Sequence, residues 1–274
     1  MTEEAVPTDE LKLTRHYVIG SQDELHLRQY DSNGSGKPLM MLHPAPYSGA
    51  WFETVMPLIT VPEVIFAPDY PGYGGSTGPD ELPDIRYFAE AMLEILYAAE
   101  TESADILGFH TGCLVAAEMA LLDPEMVSRL LLIDVPYFTG PMREEMYESA
   151  AAPKLYNEDP DCLRKGYEFN VTDKLSHIDF PRAFDLFVES LRPGLHAHQA
   201  FHAAFSYDAE AAFKQLDKPG IVVATQSGLL EPTREAGKAL SHMAFSERLD
   251  IARSVFESAA EESAAEINAF LASD

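Results

Sequence analysis

The sequence predicts an α/β protein: a mainly parallel sheet with flanking helices and one helical insertion. Three observations carry this expectation. Short continuous apolar runs recur at Leu39 to Leu42, Val64 to Ala67, Ile106-Leu107, Leu130 to Ile133 and Ile221 to Ala224, each followed by loop residues and then helical periodicity. Between Asp134 and Lys218 this rhythm lapses into irregular helical sequence rich in aromatics and histidines. The stretch Gly108-Phe109-His110-Thr111-Gly112 sets two glycines around one residue where a short strand should turn into a helix.

The elements follow in order. His16 to Tyr30 alternates apolar and polar residues around Gly20-Ser21-Gln22-Asp23, the pattern of a β-hairpin, and Asp31 to Lys37 is a Gly/Ser/Asn loop. An antiparallel hairpin therefore precedes the parallel strands. Helical periodicity marks Trp51 to Ile59, Ile85 to Ala99, Thr111 to Leu122, Thr233 to Ser241 and Ser258 to Leu271, with a weak final strand near Met243 to Leu249. The expected division is a core of residues 1–136 and 213–274 with a helical cap of residues 137–212. The C-terminal ends of strands in open α/β sheets form ligand crevices, which is where such a cap belongs.

The chain of 274 residues carries 45 acidic against 19 basic residues, a formal net charge of −26. That charge argues against binding nucleic acid or an anionic membrane surface. Two cysteines, Cys113 and Cys162, make no disulfide framework and suggest a reducing compartment. Met1 to Leu11 is polar and acidic, and no run approaches the ~18 apolar residues of a membrane-spanning helix. The expectation is a soluble, cytoplasmic protein whose partner is a small-molecule substrate or ligand, and a homodimer is compatible with it.

Three further stretches join the glycine-framed turn. His43-Pro44-Ala45-Pro46 follows the third strand, Ala67-Pro68-Asp69-Tyr70-Pro71-Gly72-Tyr73-Gly74-Gly75-Ser76 follows the fourth, and Asp134-Val135-Pro136 follows the sixth. In this order, from about Arg15 to the C-terminus, they resemble the α/β-hydrolase superfamily and its capped members. The first is similar to the oxyanion loop H-G-x-P, the second to D-x-P-G-x-G-x-S, and Gly108 to Gly112 to the nucleophile elbow G-x-S-x-G.

The resemblance implies a nucleophile, an acid after the seventh strand and a histidine after the last. His110 stands at the nucleophile position. Within Thr225-Gln226-Ser227-Gly228-Leu229-Leu230-Glu231-Pro232-Thr233, Gly228 stands at the acid position; Arg253 falls about where the histidine belongs, and no histidine lies beyond His242. Ordinary serine-hydrolase chemistry is therefore not expected. Some capped members carry the acid after the sixth strand, where Asp134 stands, and the sequence leaves open whether Asp134, Glu231 or Arg253 takes part.

A histidine on an exposed turn suits proton transfer, since its ordinary pKa of about 6.5 lies near working pH. The catalytic expectation is His110 paired with Asp134, the carboxylate fixing the imidazole tautomer; the plainer readings are a turn-filling His110 and a loop-capping Asp134. Thr111, following the nucleophile position, is the implied oxyanion donor. The candidate substrate-binding or oxyanion residues are His43, Ala45, Thr111, Tyr47, Phe109, Tyr137, His198 and His202, although His43 more often supports loop structure. Trp51, Tyr70, Tyr73 and Phe138 extend the aromatic set.

His198 and His202 stand four apart, a spacing that metal ligands use, but no third ligand accompanies them, and no dinucleotide or P-loop pattern is present. No metal and no cofactor are expected. The leading expectation is action on a small, largely apolar organic substrate, such as an ester or lactone, by a non-serine mechanism based on His110. The alternative is a catalytically silent relative that binds a small hydrophobic ligand or a protein partner.

Overall fold

The apolar runs become buried strands. In a computed structural model, which describes residues 12–151, 155–252 and 254–273, eight strands form one sheet: β1 (Leu13–Ile19), β2 (Glu24–Asp31), β3 (Leu39–Leu42), β4 (Val64–Pro68), β5 (Ala104–Phe109), β6 (Val127–Ile133), β7 (Gly220–Gln226) and β8 (Ala244–Ala252). Their order is β1-β2-β4-β3-β5-β6-β7-β8. The pairs β1/β2 and β2/β4 are antiparallel, and β4, β3, β5, β6, β7 and β8 run parallel. The hairpin closes where expected, with Ile19 opposite Glu24 and the Gly20 amide donating to Asp23 O at 2.9 Å.

Alternate residues of the central strands feed opposite faces, as the period of two requires. Met40, Leu42, Ile106, Leu130 and Leu132 pack on one face, with α1 (Ile85–Ala98) and α2 (Thr111–Leu122). Leu39, Met41, Leu107, Leu131 and Ile133 pack on the other, with Phe52 and Phe256. Asp84 caps α1 by accepting from the Tyr87 amide. Between β6 and β7 lie α3 (Gly140–Met146), a π turn at Tyr147–Ala151, α4 (Asp161–Asn170), α5 (Phe180–Leu191), α6 (Gln199–Ser206) and α7 (Ala209–Phe213). Both α6 and α7 lend apolar residues, Ala200, Ala204 and Phe213 among them, to the core beside α2. Then come α8 (Leu230–Ala239) and α9 (Ala260–Leu271), the latter packing Ile267 and Leu271 on the Phe256 side.

One predicted helix is corrected. Trp51 to Ile59 forms two short 3₁₀ turns, Gly49–Phe52 and Met56–Leu58, instead of an α-helix. Pro57 removes an amide from the interior of that stretch, and the β-branched Thr54 and Val55 precede it. The helix after β7 starts at Leu230, earlier than the expected Thr233, because Pro232 sits in the first turn, where its missing amide costs nothing. The weak last strand extends to Ala252, past the expected Leu249. Met1 to Leu11 and Arg253 lie outside the described residues.

Candidate functional site

β5 ends at Phe109 and α2 begins at Thr111, so one residue must make the whole turn. His110 does so with φ 52° and ψ −118°, left-handed backbone that a non-glycine side chain occupies only when its surroundings hold it there. Its amide donates to Ile133 O at 3.1 Å, and the Cys113 amide donates to the His110 carbonyl at 2.9 Å. The flanking glycines are steric requirements. A Cβ on Gly108 would lie 2.5 Å from Gly112 O, and one on Gly112 would lie 2.1 Å from Leu42 O. The frame therefore marks a place where α2 presses directly on β3, and the imidazole between the glycines is left 37% exposed. Gly112→Ala is expected to lose at least ~1–3 kcal/mol, since the obstructing atom is backbone and cannot swing aside; urea unfolding measures the loss.

Asp134 is fully buried just past β6, also in left-handed backbone with φ 53°. Its amide donates to Val223 O at 3.0 Å, while Oδ1 accepts from the Thr225 amide at 2.9 Å and Oδ2 from the Thr225 hydroxyl at 2.6 Å. The carboxylate thus ties the end of β6 to β7. The hydrogen-bonded His110–Asp134 pair expected from sequence is corrected here: Nε2 lies 3.9 Å from Oδ2, within ion-pair range and beyond a hydrogen bond, because Thr225 engages both oxygens. Among the described residues the imidazole has no side-chain hydrogen-bond partner. Loss of hydration lowers its pKa below the ordinary value, and Asp134 pulls the other way.

The loop after β3 borders the elbow through Leu42. His43 is fully buried; its Nδ1 donates to Pro44 O at 3.0 Å and its Nε2 accepts from the Tyr70 amide at 3.1 Å. Both ring nitrogens are committed, which leaves His43 none for a ligand and makes it the fastener between the loops after β3 and β4. Ala45, joined to Pro46 by a cis peptide bond, and Thr111 are nearly buried beside the elbow.

Burial pulls the His43 imidazole down to about 4, against the raising effects of Asp69 and the Pro44 carbonyl. In the unfolded chain it titrates near 6.5, so between those values the unfolded state binds a proton that the folded state refuses. This contribution is intact above pH 6.5 and is lost as the pH falls towards 4, by about 2 kcal/mol at pH 5. Urea midpoints near pH 7.5 and pH 5 measure it, and His43→Gln, which cannot titrate, flattens the slope.

The remaining predicted residues scatter. Phe109 is a core residue, meeting Phe256 edge-on at 5.0 Å and stacking on Trp51 at 6.3 Å. Tyr70 and Tyr73 are fully buried, and Phe138 packs on Phe205. The aromatic crevice expected from sequence is therefore mostly packed interior. Tyr137 stacks on Phe213 at 5.2 Å, and Tyr47 is buried with its hydroxyl on Asn170 Oδ1. His198 donates from Nδ1 to Leu195 O at 3.1 Å, and His202 packs against Tyr147 with its own Nδ1 buried and unpartnered. No cluster of three metal-ligating side chains occurs among the described residues. Past β7, Gly228 stands in open space and exposed Glu231 pairs with Arg234, so neither supplies an acid to His110. One cavity of about 320 Å³ lies between the hairpin turn and α1, lined by Asp23, Tyr87 and Glu94, and another of about 310 Å³ is lined by Arg143, Tyr147 and Phe205. His110 lines neither.

Sequence reasoning missed three residues. Thr225, which engages both Asp134 oxygens, carries no local signal. Asp69 lies in the quoted glycine-rich motif but shows its four donors only in three dimensions. Lys174 is one lysine in an irregular stretch until its ammonium is seen over three aromatic rings.

No family model matches the chain. A 2-hydroxymuconate semialdehyde hydrolase from a Pseudomonas species is 29% identical over 226 residues, which cover 75% of this chain and 74% of that protein. Among solved structures, a hydrolase from Pseudomonas aeruginosa matches with a TM-score of 0.77 at 21% identity, covering 94% of this chain and 98% of the other. An esterase from a Rhodococcus species matches with a TM-score of 0.78 at 20% identity, covering 96% and 99%. Sheet order, elbow and these whole-length matches agree: the chain has the α/β-hydrolase fold.

Proposed function

We propose that the protein acts on a small, largely apolar organic carbonyl compound, an ester or lactone, with His110 as the acid–base group in place of a serine nucleophile. The observation that carries the reading is the elbow itself: strained backbone holds a partly exposed imidazole that has no hydrogen-bond partner among the described residues, 3.9 Å from a buried carboxylate. In this mechanism neutral His110 takes a proton from water as the water oxygen attacks the acyl carbon. The Thr111 and Ala45 amides stabilise the resulting oxyanion, and the Asp134 charge favours the imidazolium. Collapse of the intermediate breaks the acyl carbon–oxygen bond, and His110 returns the proton to the leaving alkoxide. The lowered pKa keeps the base unprotonated at neutral pH.

The names of the relatives support the substrate class, since one is a hydrolase of a semialdehyde and another an esterase. In this reading residues 137–212 act as the cap over the site and the enzyme works in the cytoplasm without a cofactor. No helix among the described residues is long and apolar enough to cross a membrane.

Short-chain esters, lactones and epoxides screened against wild type and His110→Ala test the proposal, and equal turnover by both proteins defeats it. A serine-directed fluorophosphonate should leave the elbow unlabelled; labelling there overturns the non-serine mechanism. A second reading, a silent binder of small hydrophobic molecules, is favoured by Gly228, which puts no acid where the family carries one. Saturable binding without turnover of any substrate would establish it.

A further inference from the structure

Lys174 follows α4 in the insertion, and its Nζ sits 5.1 Å from the Trp51 ring centre, 5.6 Å from Tyr47 and 5.7 Å from Phe169. Tyr47 and Trp51 belong to the segment directly after the oxyanion loop, so the cage joins insertion to core. The chain has 45 acidic residues, yet no carboxylate lies within 4.0 Å of this ammonium among the described residues. The carboxylate whose charge reaches it, Glu257, is engaged by Arg182 and Thr54. Among the described residues its one hydrogen-bond partner is Asn170 Oδ1 at 3.5 Å, which already accepts from Tyr47. Ring faces attract a cation but replace neither its water nor a counter-ion. Burial accordingly pulls the Lys174 pKa down to about 8, and Glu257 opposes that shift.

Packed rings join the cage to the elbow. Trp51 stacks on Phe109 at 6.3 Å, and the Phe109 ring lies 4.1 Å from the His110 ring. We propose that Lys174, walled by Trp51, Tyr47 and Phe169, is an anion subsite that takes a carboxylate of the substrate, so that the substrate is a carbonyl compound carrying a second, acidic group. This rests on the reading of the elbow as the reaction site and narrows its substrate class. The ammonium has three N–H donors and spends one on Asn170, leaving two for carboxylate oxygens. Two free donors match the two oxygens of a carboxylate, whereas a phosphate would call for further donors.

Trp51 is the only tryptophan of the chain, so its emission reports the cage directly. The probes are 4-oxopentanoate and 4-oxopentanamide, a keto acid and its neutral twin, neither with an ester to cleave. Wild type should give a saturable change in Trp51 emission with the acid, at least tenfold weaker with the amide and with inorganic phosphate. Lys174→Met should weaken acid binding at least tenfold, and Lys174→Arg should recover most of it. The acid–amide comparison in wild type needs no variant, so a folding defect in Lys174→Met does not blunt the test. His110→Ala should still bind the acid, which separates failure of the catalytic reading from failure of this one. Equal response to acid and amide, undiminished acid binding by a folded Lys174→Met, or no saturable response at all overturns the proposal.

Discussion

His110→Ala is expected to lower kcat/KM by about 10²–10⁴-fold, the range that a positioned general acid–base group supplies. The loss should fall on kcat, because the imidazole has no hydrogen-bond partner among the described residues and gives little ground-state binding. His110→Gln should fall as far: a glutamine keeps polarity at the elbow but cannot carry a proton between water and leaving group. The pH profile fixes the sign. The base acts when neutral, so activity should rise with pH through the His110 pKa and level off above it. Desolvation lowers that pKa, so the limb should lie below the ordinary histidine value of about 6.5. A limb above 6.5 would mean that Asp134 outweighs desolvation. Asp134→Asn should raise kcat/KM at no pH and cost less than His110→Ala, since 3.9 Å separates the charges and Thr225 already engages the carboxylate. Its larger effect should be on stability, because an amide cannot accept from both Thr225 groups.

The sheet was legible because its central strands are continuous apolar runs and its hairpin alternates, and neither pattern suits another element at those lengths. The elbow was legible for a different reason: glycine is demanded at 108 and 112 because a Cβ there would come within 2.5 and 2.1 Å of backbone oxygens, a constraint that survives whatever residue stands between them. The failures have physical causes too. Trp51 to Ile59 has helical spacing of apolar residues, but Pro57 interrupts its hydrogen bonding. Tyr70, Tyr73 and Phe109 are interior, the plainer of the two roles open to them in the sequence, because composition cannot tell an aromatic that faces a ligand from one that fills the core. The direct His110–Asp134 hydrogen bond is missing because Thr225, 91 residues away, engages the same oxygens, and no local pattern announces a competitor at that distance.

Asp69→Ala is expected to be the most destabilising single change outside the apolar core. The carboxylate is fully buried and accepts from four donors: the Gly49 amide at 2.7 Å and Arg28 Nη1 at 3.0 Å on Oδ1, His26 Nδ1 at 2.8 Å and the Gly75 amide at 2.8 Å on Oδ2. Burial alone would raise this carboxyl, but His26, Arg28, His43 and the Gly75 amide together hold it below the ordinary carboxylate range. Removing the anion leaves the Gly49 and Gly75 amides without their acceptor and takes from the buried Arg28 guanidinium one of its two carboxylate partners, the other being Glu53 at 2.7 Å, a loss of about 3–5 kcal/mol, against a total stability of about 5–15 kcal/mol. The thermal midpoint should fall by about 10 °C. Asp69→Asn should recover less than half, since its amide nitrogen faces two donors and carries no charge for Arg28. In an Arg28→Met background Asp69→Ala should cost less, because the Arg28–Asp69 ion pair is then already gone, and that difference measures the coupling. The effect should reach the site as well. Asp69 holds Gly49, Ser48 next to it donates to Glu189 of α5 at 2.6 Å, and Tyr47 and Trp51 flank the pair. Below its melting point the folded variant should therefore show altered Trp51 emission, whereas unchanged emission would mean that the Tyr47–Trp51 segment is held by its contacts with the insertion alone.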